Sequence, residues 1–380
     1  MKFLHTSDWH LGASENLVDL KEDQKHFITN ICGIISAENV DAVLLAGDVF
    51  DRSIVSPDAI RLYDWAMTKI CRELGKQLLL IAGNHDGAER LSNCSRLLES
   101  SGLHILGAIE KEPSAVSFED TQVFLLPWIT EEKVKSIYPE ESETIKNLTD
   151  AYQTVCDHMR EKFEKGKKHI VLAHAFITKA ETSGSDRAAE IGLATQVPAR
   201  VFDGFDYVAL GHIHKAQDVT DTIRYSGTPM PYSFGKEEQQ EKSVTILDTS
   251  DMSRKIVKLD VLHPRKTLSG TLEEIMHPDV DEKIKNGYVC LKITDDYVGR
   301  ESMELLKQIY PYPLEISGKS FQTENDTERL SLEEFREIEN DPLEILKRYC
   351  REKTEFGNLD ERRLHLFQQS MEDYYKEMEE

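Results

Sequence analysis

One junction recurs along this chain and constrains it more than any other feature. A short apolar run of strand length stops at a polar turn that carries aspartate, histidine or asparagine. Residues 2–6 run into Asp8-Trp9-His10, residues 42–45 into Gly47-Asp48-Val49-Phe50-Asp51-Arg52, and residues 78–81 into Gly83-Asn84-His85-Asp86. Residues 170–173 stop at His174, and residues 207–210 at Gly211-His212-Ile213-His214. Residues 123–126 form a further run of the same kind. Helical patterns separate several of these runs. Ser56-Pro57-Asp58 supplies an N-cap and an N1 proline before the stripe Ile60, Tyr63, Met67, Ile70. Short strands alternating with helices define a layered α/β fold.

In an open α/β sheet the loops beyond the carboxyl ends of the strands share one crevice, so the five turns are expected to converge there. D-x-H and H-x-H place two side chains on one side of an extended segment. The glycines at 47, 83 and 211 are expected to let the backbone turn sharply before each polar residue. A single histidine after a strand is commonly a hydrogen-bonded turn residue, and G-D-x-x-D is commonly a helix cap. Five such turns in series read as one site.

Charge narrows the class of partner. The 46 basic and 69 acidic residues leave a net charge of −23, which excludes a general basic surface for nucleic acid. A phosphate-bearing partner therefore needs local cations, metals included. The longest apolar runs fall far short of the ~18–20 residues that span a bilayer, and the N-terminus turns polar too soon for a signal peptide. The six cysteines contain no C-x-x-C pair. Reduced thiols and a cytoplasmic location are the expectation.

After His212 the pattern changes to strands only, at 223–226, 243–247 and 255–259, and the stretches 182–187 and 235–242 read as mobile loops. His263-Pro264-Arg265 marks an expected boundary. Residues 1–265 then form the main domain. Residues 266–320 form a small α/β cap with a strand at 287–293, and 321–380 a linker and C-terminal helices. The last of these carries the apolar stripe Leu364, Phe367, Met371, Tyr374, Met378.

The ordered series D-x-H, G-D-x-x-D, G-N-H-D, a histidine after a strand and G-H-x-H resembles the calcineurin-like metallophosphoesterase superfamily. The fuller wording of Asp8-Trp9-His10-Leu11-Gly12, of residues 47–52, of Ala173-His174-Ala175 and of residues 210–215 is similar to the SbcD-type nuclease family. Tyr225-Ser226-Gly227-Thr228-Pro229-Met230 is similar as well. The strong match covers residues 1 to about 235. It implies a layered β-sandwich core flanked by helices, a small α/β cap and a helical C-terminal tail.

The resemblance also implies two divalent ions per chain. One would be held by Asp8, His10, Asp48 and His214, the other by Asp48, Asn84, His174 and His212, with Asp48 bridging. Mixed imidazole and carboxylate ligands suit Mn, Fe or Zn better than Mg, and the family resemblance selects Mn²⁺. His85 would stabilise the transferring phosphoryl group and protonate the departing 3′-oxygen, with Asp86 orienting its imidazole and Asp51 supporting the ligands. The other eight histidines, His5 among them, read as ordinary.

At the level of the whole protein, the resemblance implies ATP-dependent 3′→5′ double-strand exonuclease and single-strand endonuclease activity in DNA end processing, replication, repair and recombination. The partner would be an SbcC-type coiled-coil ATPase, which uses the ATP. The chain would form a homodimer within a heterotetramer, with residues 56–74 and 89–100 as candidate dimer contacts. The cap is assigned to DNA recognition and the C-terminal stripe to the ATPase. Arg52, Arg90, Lys179, Arg187 and Lys215 are candidate DNA contacts. Two alternatives remain at this stage: a small-molecule or cyclic-nucleotide phosphodiesterase with the same metals, and a non-catalytic scaffold.

Overall fold

The computed structural model describes residues 1–16, 18–178, 180–183, 185–186, 196–277, 280–295 and 300–318. Lys179, Arg187 and the stripe Leu364, Phe367, Met371, Tyr374, Met378 lie outside the described residues.

Two six-stranded sheets face each other. In the first, Lys2–Thr6, Ala42–Leu45, Gln77–Ile81 and Leu103–Leu106 run parallel in that order, and the antiparallel strands Ser243–Asp248 and Ser253–Lys258 extend it beside Lys2–Thr6. In the second, Ile223–Tyr225, Tyr207–Gly211, Lys168–His174 and Thr121–Leu126 run parallel, flanked by the antiparallel edge strands Gln217–Asp218 and Ala115–Ser117. Alternation along each strand explains the layering, because successive side chains point to opposite faces. Phe3, Ala42, Leu44, Leu79 and Ile81 meet Val123, Leu125, Ile170, Leu172 and Ala209 between the sheets. Leu4, Val43, Leu45, Leu78 and Leu80 point the other way, beneath helices.

Those outer helices are amphipathic. Lys21–Ala37 buries Phe27, Ile28, Ile31 and Ile35 on the first sheet, and Leu148–Glu161 buries Ala151, Tyr152, Val155 and Met159 on the second. Helix Pro57–Met67 starts where the sequence places it, with the Ser56 hydroxyl accepting the Ala59 N–H at 3.2 Å. Its buried face keeps most of the expected stripe, with Met67 and Ile70 buried and Tyr63 half-buried, but is rotated at its start. Ala59, Leu62, Ala66 and Met67 turn inward and Ile60 stays 53% exposed. Gly12 lets Ala59 approach closely, since a Cβ there would sit 2.8 Å from that of Ala59.

Residues 265–318 form a separate three-stranded parallel sheet of Arg265–Gly270, Tyr288–Ile293 and Tyr312–Gly318. Helices Leu272–Met276, Glu282–Lys285 and Arg300–Ile309 connect the strands, over a core of Ile275, Val289, Leu291, Ile293, Leu306 and Tyr310. The first of these strands has no apolar signature, since only Leu268 in it is strongly apolar. Polar contacts fasten this unit to the main body. The Tyr288 hydroxyl donates to Asp23 at 2.7 Å, and the His263 ring lies 3.0 Å from the same carboxyl. Arg265 is buried, donates from Nε to the Pro231 carbonyl, and stacks its guanidinium over Phe234 and Tyr288.

The stretch 235–242, expected to be a mobile loop, is anchored at two points, while Gly235, Lys236, Gln239 and Glu241 are exposed. It contains the 3₁₀ turn Gly235–Gln239, and Glu237 and Lys242 are both buried. Two opposite charges that neutralise each other hold it down, a pairing hidden in a string of charges that reads as solvated. Among the described residues, no helix is long and apolar enough to cross a membrane.

Candidate metal centre

The five polar turns do meet, but between two sheets and not along one. Asp8, His10, Asp48, Asn84 and His85 follow strands of the first sheet, whereas His174 ends a strand of the second and His212 and His214 follow another. The turns are spliced by backbone hydrogen bonds: Asp8 N–H donates to Gly47, His10 N–H to Asp48 and Leu11 N–H to Val49. Holding these side chains inward strains the backbone. Asp8, His10, Asp48 and His212 all adopt positive φ, at 54°, 45°, 49° and 103°. Non-glycine residues rarely do so unless the surroundings enforce it, and such strain gathers at functional sites.

Two of the three glycines act differently from expectation. Gly47 has a positive φ of 81°, as a sharp turn requires, but Gly83 and Gly211 serve close approach. A Cβ at Gly83 would lie 2.1 Å from Asp48 Oδ1, and one at Gly211 would lie 1.8 Å from the Ala46 carbonyl.

Two clusters share a wall. Asp8, His10 and His214 bring ligand-type atoms within 4.8 Å of one another, and so do Asp8, Asp48 and His174. His10 Nε2 and His214 Nε2 are 3.1 Å apart. On the other side, Asn84 Oδ1 lies 2.9 Å from His174 Nε2 and 3.0 Å from His212 Nδ1. All seven residues expected to gather are therefore adjacent, with Asp8 as well as Asp48 between the clusters. A third group, His10, Asp51 and His85, adjoins them.

Burial sets the protonation states. It lowers His10 and His212 to about 3 and His214 to about 4, so these imidazoles are neutral at pH 7. His174 is the exception. Burial opposes its charge, but the Asp48 and Asp8 carboxyls outweigh that and raise it to about 9. Asp48 is likewise disfavoured by burial yet held well below the usual range, chiefly by His174, whereas burial and the Asp48 charge raise Asp8. Protons thus stand in for cations. Neutral imidazoles and buried carboxyls crowd together, and His10 Nδ1 is buried without a hydrogen-bond partner. This donor set fits a pair of divalent ions.

Around these atoms the packing is specific. His174 donates from Nδ1 to the Ala46 carbonyl at 2.8 Å, which turns Nε2 into the site. Trp128 stacks on the His212 ring at 5.2 Å and 25°. No pattern in its own Leu-Pro-Trp segment points to that role.

His85 lies beside the clusters, its Nε2 3.9 Å from Asp48 Oδ2. The Asp86 carboxyl does not orient this ring. It accepts from Val49, Phe50 and Gly83 N–H at 3.1, 2.9 and 2.9 Å, pinning two turns together, and burial raises it to about 6. The His85 ring is held instead by the Asp51 carbonyl, 2.8 Å from Nδ1. Backbone acceptors of this kind leave no mark in a sequence. Of the candidate DNA contacts, Arg52 is 76% exposed at the rim beside Asp51. Arg90 donates to the Ser53 carbonyl at 2.7 Å, and Lys215 pairs with Glu181.

The calcineurin-like phosphoesterase family model matches residues 1–216, more than half of the chain, and the chain belongs to that family. It is a phosphoesterase-fold protein with two adjoining candidate metal clusters. Over 325 residues it is 33% identical to the SbcD subunit of the nuclease SbcCD of Staphylococcus epidermidis, a match spanning 84% of this chain and 86% of that protein. Among solved structures, TT1561 of Thermus thermophilus aligns with 68% of this chain and 99% of its own, at 11% identity and a TM-score of 0.37.

Proposed function

We propose that this chain is the nuclease subunit of an SbcCD-type complex, hydrolysing DNA phosphodiesters with two Mn²⁺ ions. The observation that carries this reading is the pair of clusters sharing Asp8, with Asp48 at their junction, in a chain similar to an SbcD nuclease subunit over 84% of its length. Asp8, His10, Asp48 and His214 would hold one ion, and Asp48, Asn84, His174 and His212 the other. When bound, such a pair supplies Lewis-acid polarisation of the phosphoryl group and an acidified water at neutral pH.

The remaining chemistry belongs to side chains of this protein. With Nδ1–H donated to the Asp51 carbonyl, His85 turns Nε2 toward the Asp48 carboxyl and the adjoining clusters. From there it stabilises the transferring phosphoryl group and delivers a proton to the departing 3′-oxygen. Trp128 keeps the His212 ring in plane. Activities of the complex follow the same reading: ATP-dependent 3′→5′ double-strand exonuclease and single-strand endonuclease action in DNA end processing, replication, repair and recombination.

Charge supports dependence on a partner. A chain at −23, with Lys215 and Arg90 engaged internally, neutralises few phosphates alone, and affinity for DNA scales with the number neutralised. In this reading an SbcC-type ATPase supplies the missing surface. The 265–318 unit recognises the duplex, the C-terminal residues dock the ATPase, and two copies pair within a heterotetramer in the cytoplasm. The test is purified protein with Mn²⁺ on linear duplex, closed circular duplex and a generic diester, with and without SbcC and ATP. Cleavage of the diester alone, with degradation of linear DNA only when SbcC and ATP are added, supports the proposal. Diester cleavage with no gain on DNA from the partner favours a small-molecule phosphodiesterase.

A further inference from the structure

His214 is held on the side away from the clusters by a chain of groups that no motif marks, in which Ser185 is half-buried and Glu237, Lys242 and Thr228 are buried. Its ring Nδ1 lies 2.5 Å from the Ser185 hydroxyl, and that hydroxyl in turn donates to the Glu237 carboxylate. The same Glu237 oxygen accepts from Ser183 Oγ at 2.8 Å. Its other oxygen accepts the Tyr232 N–H at 2.8 Å and faces Lys242 Nζ at 3.5 Å. Lys242 also donates to Thr228 Oγ1 at 2.8 Å, and Thr228 N–H donates to the His214 carbonyl at 3.1 Å. Asp186 completes the frame by accepting the His214 N–H at 3.0 Å.

We infer that Ser185, Glu237 and Lys242 form a positioning relay that fixes the proton of His214 on Nδ1, aims its Nε2 lone pair at the Asp8–His10 cluster, and so sets the affinity of that cluster for a divalent ion. The inference rests on the two-metal reading above and adds to it which residues tune one site and not the other. The direction of each hydrogen bond supports it. Glu237 is acceptor-only when ionised, so the Ser185 proton points at Glu237 and the serine lone pair faces His214. The ring must then donate from Nδ1, which leaves Nε2 unprotonated beside His10 Nε2. An imidazole ligand backed through a hydroxyl by a carboxylate is a stronger ligand. Lys242 makes a buried carboxylate tolerable here, since an unpaired charge at this depth would be costly.

The relay touches only one cluster. His174 takes its orientation from the Ala46 carbonyl and His212 its ring packing from Trp128, neither of which involves the relay. These residues are positioning residues and their signature is a split between two binding events.

The experiment is calorimetric titration of the full chain with Mn²⁺, with ion content checked by elemental analysis. Ser185→Ala removes the link without stranding a buried charge. It is expected to weaken one of two Mn²⁺ binding events ~10–100-fold, with the other event and the unfolding temperature of the metal-free chain unchanged. Ser185→Thr, which keeps the hydroxyl, should restore it. The paired variant Glu237→Gln/Lys242→Met removes both charges together and should show the same one-site loss. Two binding events at parental affinity in Ser185→Ala would overturn the relay while leaving the two-metal reading intact. A parent chain that binds no Mn²⁺ would overturn both.

Discussion

His10 Nε2 and His214 Nε2 face each other at 3.1 Å across a gap of 204 residues in sequence. Two neutral imidazoles cannot both present lone pairs at that distance unless a proton or a cation lies between them. Burial disfavours the charged form of each ring. In the metal-free chain a single shared proton, Nε2–H···Nε2, satisfies both rings while they stay neutral, and a divalent ion held jointly with the Asp8 carboxyl would take its place.

Metal uptake should release protons. In the metal-free chain His174 is protonated at pH 7, because its acidic neighbours raise it to about 9, and an ion can use Nε2 only after that proton leaves. The sign follows directly: Mn²⁺ affinity rises with pH up to about 9 and levels off above it. Titration at pH 7 in two buffers of different ionisation enthalpy should show about one or more protons released per chain. A buffer-independent heat would contradict the assignment of His174.

His85→Ala should separate chemistry from binding. With the ring gone, turnover of a diester should fall ~10²–10⁴-fold, the range for loss of a general acid. Mn²⁺ content should stay at the parental value. A parallel loss of metal would make His85 a ligand through the group it forms with His10 and Asp51.

Gly83→Ala should damage the centre without replacing a ligand. The added methyl would meet Asp48 Oδ1 at 2.1 Å and Asp48 N at 2.5 Å, displacing the carboxylate that adjoins both clusters. Overpacking of this kind costs ~1–3 kcal/mol. Metal content and the midpoint of urea unfolding should drop together, and retention of both ions would show that Asp48 is free to move.

Much of this was legible in the sequence because apolar runs and polar turns obey local rules. The six runs at 2–6, 42–45, 78–81, 123–126, 170–173 and 207–210 fall within observed strands. The ligand-type residues are recognisable because each sits just past one. What stayed hidden is long-range. Strand and turn periodicity alone suggests one open sheet, and the layered sandwich that the family resemblance implies is the one observed, because only packing decides how inward faces such as Phe3 and Ile170 meet. The Asp51 carbonyl that holds His85 is invisible to any residue pattern. Glu237 and Lys242 are buried by their mutual pairing, which a charge-rich stretch does not advertise.

Tyr288→Phe should loosen the 265–318 unit selectively. The lost hydrogen bond to Asp23 joins it to helix Lys21–Ala37, and a bond to a charged partner contributes ~1.5–3 kcal/mol. Amide exchange should quicken in Tyr288–Ile293 and its neighbours while the Lys168–His174 strand keeps its protection. Uniform exchange across both would mean that the two parts open as one.

Anomalous diffraction at the manganese edge, on crystals of the full chain grown with Mn²⁺, tests the central claim most directly. The expected result is two peaks ~3.5–4 Å apart, one between Asp8, His10 and His214 and one between Asp48, Asn84, His174 and His212. Empty clusters, or a single peak away from Asp48, would contradict it.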